Sequence, residues 1–245
     1  MEGNIPIIIP LGNGSWQGRN DELRLLLRSL ERNALDLGEV YLVTDCCPEW
    51  VNRKALTVVP IPDIYKDCKD ANLFNKVHST IKMHGIGDFV FSADDNVFLK
   101  PIELKNLPII HNHRNNSMFY ANSLTKWQNR VRNTLEWAKK QGVQLEHNFE
   151  CHCPQLFNGT KIIQTPFKYY PDFSDGKTIY TTWRVVTNSW MESKPQLDFK
   201  ETYEMPCTAR DVVLDKLFIG YNDIGFGCIR EKLFEAFGKK SKWEK

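Results

Sequence analysis

Within the first hundred residues, short apolar runs alternate with amphipathic helical periods, and this alternation constrains the fold more than any other feature. Ile5-Pro6-Ile7-Ile8-Ile9 is a β-branched run whose length predicts a strand. It breaks at Pro10-Leu11-Gly12-Asn13-Gly14-Ser15, a glycine loop that lets backbone approach a ligand closely. Asn20-Asp21 then offers a helix N-cap, and Leu23, Leu26, Leu27 and Leu30 recur at the spacing of one buried helical stripe. Gly38 is expected to close that helix, followed by a second strand at Val40-Tyr41-Leu42-Val43-Thr44 with Asp45 at its tip. Leu56-Thr57-Val58-Val59 predicts a third strand and residues 72–84 a second helix stopped by Gly85 and Gly87. Phe89-Val90-Phe91 predicts a fourth strand.

Strands that alternate with helices pack as a mainly parallel sheet covered on its faces. Ligands of such sheets bind beyond the C-terminal strand ends, where Leu11 to Ser15, Asp45 and Ala93-Asp94-Asp95-Asn96 all fall. After residue 100 the pattern weakens. Residues 127–140 predict a helix with Leu135 and Ala138 on one side and Lys139-Lys140 in its last turn. Residues 141–210, rich in Asn, Thr, Pro and aromatics without a sustained period, read as loops and short strands of an acceptor-side lobe. No repeat or linker divides the chain, so the expectation is a single α/β domain over residues 1–245.

Composition excludes several classes. Apolar residues at 42% and charged residues at 25% exclude a disordered tail and a fibrous repeat. A net charge of +2 argues mildly against a protein that wraps nucleic acid. No apolar run is long enough for a transmembrane segment, and Met1-Glu2-Gly3-Asn4 lacks the basic start of a secretory signal, so a cytoplasmic location is expected. Seven cysteines, the close ones spaced as Cys46-Cys47 and Cys151-x-Cys153, do not present a structural zinc pattern and read as reduced, mostly buried thiols.

The most informative segment is Asp88-Phe89-Val90-Phe91-Ser92-Ala93-Asp94-Asp95-Asn96-Val97-Phe98-Leu99. An apolar strand that ends in paired acids places two mutually repelling carboxylates at a strand tip. Mg²⁺ or Mn²⁺ shared with substrate phosphates is the natural counter-charge, because Mg²⁺ is commonly held by one or two carboxylates while phosphate oxygens complete its shell.

Strand, Asp-Asp and apolar pair resemble the acidic motif of nucleotide-sugar-dependent transferases with the GT-A fold. More narrowly, Asn20-Asp21-Glu22-Leu23-Arg24-x-x-Leu27-Arg28-Ser29-Leu30-Glu31, Val40 to Asp45 and Ala93 to Phe98 resemble the second conserved region of the Stealth family, which includes capsule sugar-phosphate transferases. Tyr221-Asn222-Asp223 followed by Phe234-x-x-Phe237-x-x-Lys240-Ser241-Lys242-Trp243-Glu244 is similar to that family's closing region. Glu150-Cys151-His152-Cys153-Pro154 resembles its His-x-Pro segment and Trp183-Arg184 its Arg segment. The family's opening Thr-Trp-Val-Asp-Gly-Ser run is reduced here to Pro10 to Ser15, which keeps the glycine turn and loses the acid.

The resemblance implies a GT-A-like domain with a Rossmann-like, mainly parallel sheet. Residues 1–100 would form the nucleotide-sugar-binding half and residues 101–245 the acceptor-side half. It implies Asp94 and Asp95 on the metal and donor, and Asp223 as a second metal-side carboxylate. His152 would be general base or phosphate contact, and Arg184 a bidentate diphosphate clamp. Leu11, Gly12 and Asn13 would cradle the nucleotide, with Arg19, Asn75 and Lys76 completing the donor side. The implied activity is metal-dependent transfer of a sugar from a nucleotide diphosphate sugar, UDP-sugar first, to a hydroxyl acceptor. That acceptor is a glycan in the first place, with a modified nucleic-acid base as another source of hydroxyls. Transfer of sugar 1-phosphate is the alternative, and a non-catalytic carbohydrate-binding relative the third. Lys239-Lys240 and Lys242 read as a solvated charge run rather than a binding patch.

Overall fold

The computed structural model describes residues 4–12, 18–65, 69–111, helical positions 129, 132, 133, 135, 136, 139 and 140, and residues 152–164, 193–195, 200–203 and 212–245. In chain order the elements are β1 (Ile5–Pro10), α1 (Asp21–Asn33), β2 (Leu37–Val43), β3 (Thr57–Val59), α2 (Lys69–His84), β4 (Asp88–Phe91), β5 (Asn96–Phe98) and β6 (Ile109–His111). There follow β7 (Gln155–Asn158), α3 (Gly159–Gln164), β8 (Ser193–Pro195), β9 (Lys200–Tyr203), β10 (Phe218–Tyr221) and α4 (Asp223–Ala236).

The central sheet has strand order β3-β2-β1-β4-β7. Its first four strands pair in parallel and β7 closes the edge antiparallel, Phe91 opposite Gln155. The expected mainly parallel α/β sheet is therefore present. β7 comes from the stretch read as an acceptor-side lobe, so that stretch also completes the central sheet. Strand order runs outward from β1 through β2 to β3 and then resumes at β4 on the other side of β1. The crevice at this reversal is where ligands of open α/β sheets bind.

Both faces of β1 are buried, which explains its unbroken apolar run. Ile7 and Ile9 face α1 in one core with Leu23, Leu26, Leu27, Leu30 and Trp243, while Ile8 faces α2 and α3 in a second with Phe74, Val77, Ile81 and Ile162. A third core joins Leu25 of α1 to Val97 of β5, Ile219 and Tyr221 of β10 and Phe226 of α4. Helix α1 is thus wedged between the central sheet and the small sheet β5-β10-β9.

Several local expectations are corrected. Gly38 does not close α1, which ends at Asn33; it lies inside β2, where a Cβ would sit 3.1 Å from the Asn4 carbonyl oxygen. That contact with backbone, and not a helix stop, is what requires glycine there. Asn20 precedes α1 in the left-handed conformation, φ 51°, and its side chain makes no capping hydrogen bond. Gly85 does follow α2 at φ 63°. Among the described cysteines Cys153 is buried, Cys46 exposed, and Cys47 and Cys228 half-buried, while Cys68, Cys151 and Cys207 lie outside the described residues. The described positions between 129 and 140 are helical, with Leu135 buried and Lys139 and Lys140 exposed. Among the described residues no helix is long and apolar enough to cross a membrane.

Candidate functional site

At the crevice, the C-terminal ends of β1, β2 and β4 are tied to each other beyond the last ladder pairs. Leu11 N–H donates to Val43 O at 3.0 Å and Ser92 N–H to Ile8 O at 3.2 Å. Leu11 is buried and Gly12 exposed, so the loop turns from core to solvent within one residue. Its position is fixed by Lys76, 2% exposed, whose Nζ donates to Leu11 O at 2.7 Å and pairs with Asp63 at 2.6 Å. Sequence reading placed Lys76 on the donor; the structure shows the same side chain holding the Leu11 carbonyl at the crevice and pairing with Asp63. Asn75 beside it is half-buried, Arg19 is exposed, and Asn13 and Arg184 lie outside the described residues.

Asp94 and Asp95 occupy the turn between β4 and β5, both half-buried. Asn96, 1% exposed, donates from Nδ2 to Asp95 Oδ1 at 3.0 Å and so orients that carboxylate. His152 reaches the same acid: its Nδ1 lies 3.8 Å from Asp95 Oδ2, with the imidazole 57% exposed. Topology explains this meeting, since β7 starts at Gln155 opposite Phe91 and residues 152–154 therefore lie just beyond the tip of β4. The pairing Gly220 with Asn96 brings the end of β10 to the same place. Asn222 there caps α4, its Oδ1 accepting from Gly225 N–H at 2.9 Å, and leaves Asp223 exposed in the first helical turn.

Carboxylates dominate the electrostatics of the turn. Burial, then the Asp95 and Glu22 carboxylates, push Asp94 up to about 8. Lys69, at the start of α2, opposes this only weakly. Burial together with Asp95, Glu22, Asp94 and Asp21 likewise holds the Tyr221 phenol well above its usual value. The donor set around the turn is oxygen, which suits a hard divalent cation. Among the described residues no three His, Cys, Asp or Glu side chains come together to hold a metal ion. Asp94 and Asp95 are the pair that could hold one, and Asp223, exposed at the start of α4, does not form such a group with them.

Two residues of this site escaped sequence reading. Glu22 was read only as one position of the segment that resembles the Stealth family, and Tyr221 only as a neighbour of Asn222-Asp223. The available signal for Glu22 was an acid on a helix whose leucines occupy more than one face, which leaves its first turn little solvent to point into.

The two segments that carry the Stealth resemblance at the chain's ends prove to be one structural unit. Glu244 is 8% exposed and accepts from Arg28 Nε at 2.7 Å, Arg28 Nη2 at 2.8 Å and Arg24 Nη1 at 3.2 Å. Ser241 N–H donates to the same carboxylate at 3.0 Å. Nearby, a groove of about 480 Å³ is lined by Arg28, Arg32, Lys239, Lys240 and Lys242. Arg28 donates to Phe237 O, Arg32 to Ala236 O and Lys240 to Lys245 O, so much of this positive charge terminates α4 and the tail.

No protein-family model and no curated protein sequence matches the chain. Among solved structures, the apo form of the bifunctional glycosyltransferase WbbM is similar over 98% of this chain, with a TM-score of 0.52 and 10% sequence identity. The chain spans 50% of the length of that protein. The likeness shows a mixed α/β glycosyltransferase fold with a mostly parallel central sheet, consistent with the expected GT-A-like architecture.

Proposed function

We propose that this chain is a metal-dependent glycosyltransferase that moves a sugar from a nucleotide diphosphate sugar to a hydroxyl acceptor. The observation that carries this reading is the convergence of Asp94, Asp95 and His152 at the strand-order reversal of a glycosyltransferase fold. Departure of a nucleoside diphosphate leaves charge on its phosphate oxygens, and Mg²⁺ or Mn²⁺ would neutralise it when bound. Asp95 and Asp94 would hold that ion, Asp223 would assist, and Leu11, whose carbonyl Lys76 holds, would border the nucleotide with Gly12 and Asn13, UDP in first place. Arg19, Asn75 and Arg184 complete the proposed donor side. His152, exposed and with its Nδ1 3.8 Å from Asp95 Oδ2, would take the proton of an incoming hydroxyl as general base or contact a phosphate. The acceptor proposed is a glycan, reached from residues 101–245 of the same domain in the cytoplasm.

Transfer of sugar 1-phosphate is supported as the second reading by the Arg24–Arg28–Glu244 lock, which joins the two ends where the Stealth resemblance is strongest. Product mass separates the two. A sugar nucleotide panel with Mn²⁺ and a glycan acceptor should yield a product heavier by one sugar residue. A product that gains sugar plus phosphate establishes the second reading instead, and sugar binding that ignores both nucleotide and metal establishes a binding protein.

A further inference from the structure

The acidic turn has a floor that the proposed chemistry does not use. Helix α1 runs along β5: Asn33 Nδ2 donates to Phe98 O, Phe98 N–H donates to Ser29 Oγ, and Leu25 packs with Val97. Asn33 and Ser29 thus both meet Phe98, and Leu25, one turn nearer the helix start, shares a core with Val97 one residue earlier in β5. Glu22, three residues before Leu25 on the same face, arrives at the Asp95–Asn96 end of that strand, where it is 5% exposed. Tyr221 ends β10 one residue beyond the Gly220–Asn96 pair, and its ring stacks on Phe226 at 4.8 Å, which fixes where its hydroxyl points. Tyr221 is 4% exposed, and its hydroxyl has no hydrogen-bond partner among the described residues. Asn96 Oδ1, also buried, has none either. Polar atoms left unpaired in a protein interior are costly and call for an explanation such as a bound partner.

We propose that Tyr221 and Glu22 clamp one hydroxyl of the transferred sugar, the phenol donating to its oxygen and the carboxylate accepting its proton. A sugar hydroxyl is at once donor and acceptor, so a phenol beside a carboxylate matches it in a way that a phosphate, which needs only donors, does not. This inference rests on the nucleotide-sugar reading and adds to it a residue pair that selects the sugar. Both residues are specificity determinants and neither needs to touch the diphosphate.

The test is calorimetric binding, with Mn²⁺, of UDP-, GDP-, ADP-, CDP- and dTDP-glucose and the matching nucleoside diphosphates to wild type, Tyr221→Phe and Glu22→Gln. Tyr221→Phe removes one oxygen and keeps the stacked ring, and its melting temperature confirms the fold. For the nucleotide that wild type binds, the variant should bind the diphosphate within about twofold of wild type. Its affinity for the sugar nucleotide should fall about tenfold, roughly one good hydrogen bond to a fixed donor. Glu22→Gln should shift the same ratio in the same direction. A sugar-to-diphosphate affinity ratio within twofold of wild type in Tyr221→Phe overturns the clamp and leaves the nucleotide-sugar reading standing. Equal losses for diphosphate and sugar nucleotide show a merely structural tyrosine and overturn it as well. If wild type binds no member of either series, the nucleotide-sugar reading fails and the clamp fails with it.

Discussion

Glu244→Gln tests the lock between the tail and helix α1 with nearly no change of shape. In the native protein the carboxylate accepts from three guanidinium nitrogens and from Ser241, with its side chain fully buried. A glutamine keeps one acceptor oxygen and turns an NH₂ toward Arg28 or Arg24, leaving cationic donors unpaired. Removing one partner of a buried pair costs about 3–5 kcal/mol. Arg28 also donates to Phe237 O and Gly238 O, which moderates the loss toward the lower figure. At about 2–4 °C per kcal/mol for a chain of this size, melting should fall by about 6–12 °C. The pH dependence adds a second readout. Burial alone would push the Glu244 carboxyl up, but hydrogen bonds from Arg28 and Ser241 outweigh it and hold the group below its ordinary value. Its folded pKa is therefore depressed, so its contribution is complete above the unfolded value of about 4.3 and is lost as pH falls through the folded one. Differential scanning calorimetry should show a constant gap between wild type and variant from pH 6 to 8, narrowing below about pH 4. A gap under about 2 °C at pH 7, or one that widens in acid, refutes the lock.

Three further expectations follow from the site. Asp95→Asn should lower turnover by about a hundredfold or more while leaving melting within about 2 °C, because the acid sits half-exposed at a strand tip, and paired activity and melting measurements check both halves. Lys76→Met should fold, since a methionine fills the buried stem, but should weaken nucleotide binding about tenfold by releasing the Leu11 carbonyl and Asp63, as titration calorimetry would show. With Asp94 pushed up to about 8, a divalent cation must displace a proton there near neutrality. Mn²⁺ affinity should accordingly rise up to about tenfold per unit between pH 6 and 8, with proton release visible as a dependence of binding heat on buffer ionisation enthalpy.

Legibility in the sequence divided along the length scale of the interactions. Strands β1 to β4 and helices α1 and α2 were readable because each is specified by its own apolar period, and Ile7, Ile8 and Ile9 report two-sided burial by their lack of alternation. Asp94-Asp95 was readable because a strand tip is a local position. His152 was nominated by resemblance alone, and its meeting with Asp95 depends on the antiparallel pairing of β7 with β4, which no local pattern announces. Gly38 misled for the opposite reason: glycine signals a helix stop locally, whereas here a neighbouring strand's backbone dictates it. The run Lys239-Lys240 and Lys242 read as a solvated face and is exposed, whereas the α4 carbonyls beside it are met by Arg28 and Arg32 of α1, a relation visible only once the chain is folded.

Helix α1 connects these observations mechanically. Its Arg24 and Arg28 grip Glu244, its Asp21 accepts from Arg230 of α4 at 2.7 Å, and its leucines fill two cores. Contacts on so many sides leave the helix almost no freedom to slide or rotate. Rigidity of that kind suits the first turn, because it holds buried Glu22 among the acids whose charge helps to raise Asp94. The tail therefore acts at a distance from the acidic turn by holding the element that brings a third carboxylate into it. On this argument the Ser241-x-x-Glu244 ending and the Asn20-Asp21-Glu22 beginning belong together for a physical reason: one anchors the helix whose first turn the other supplies.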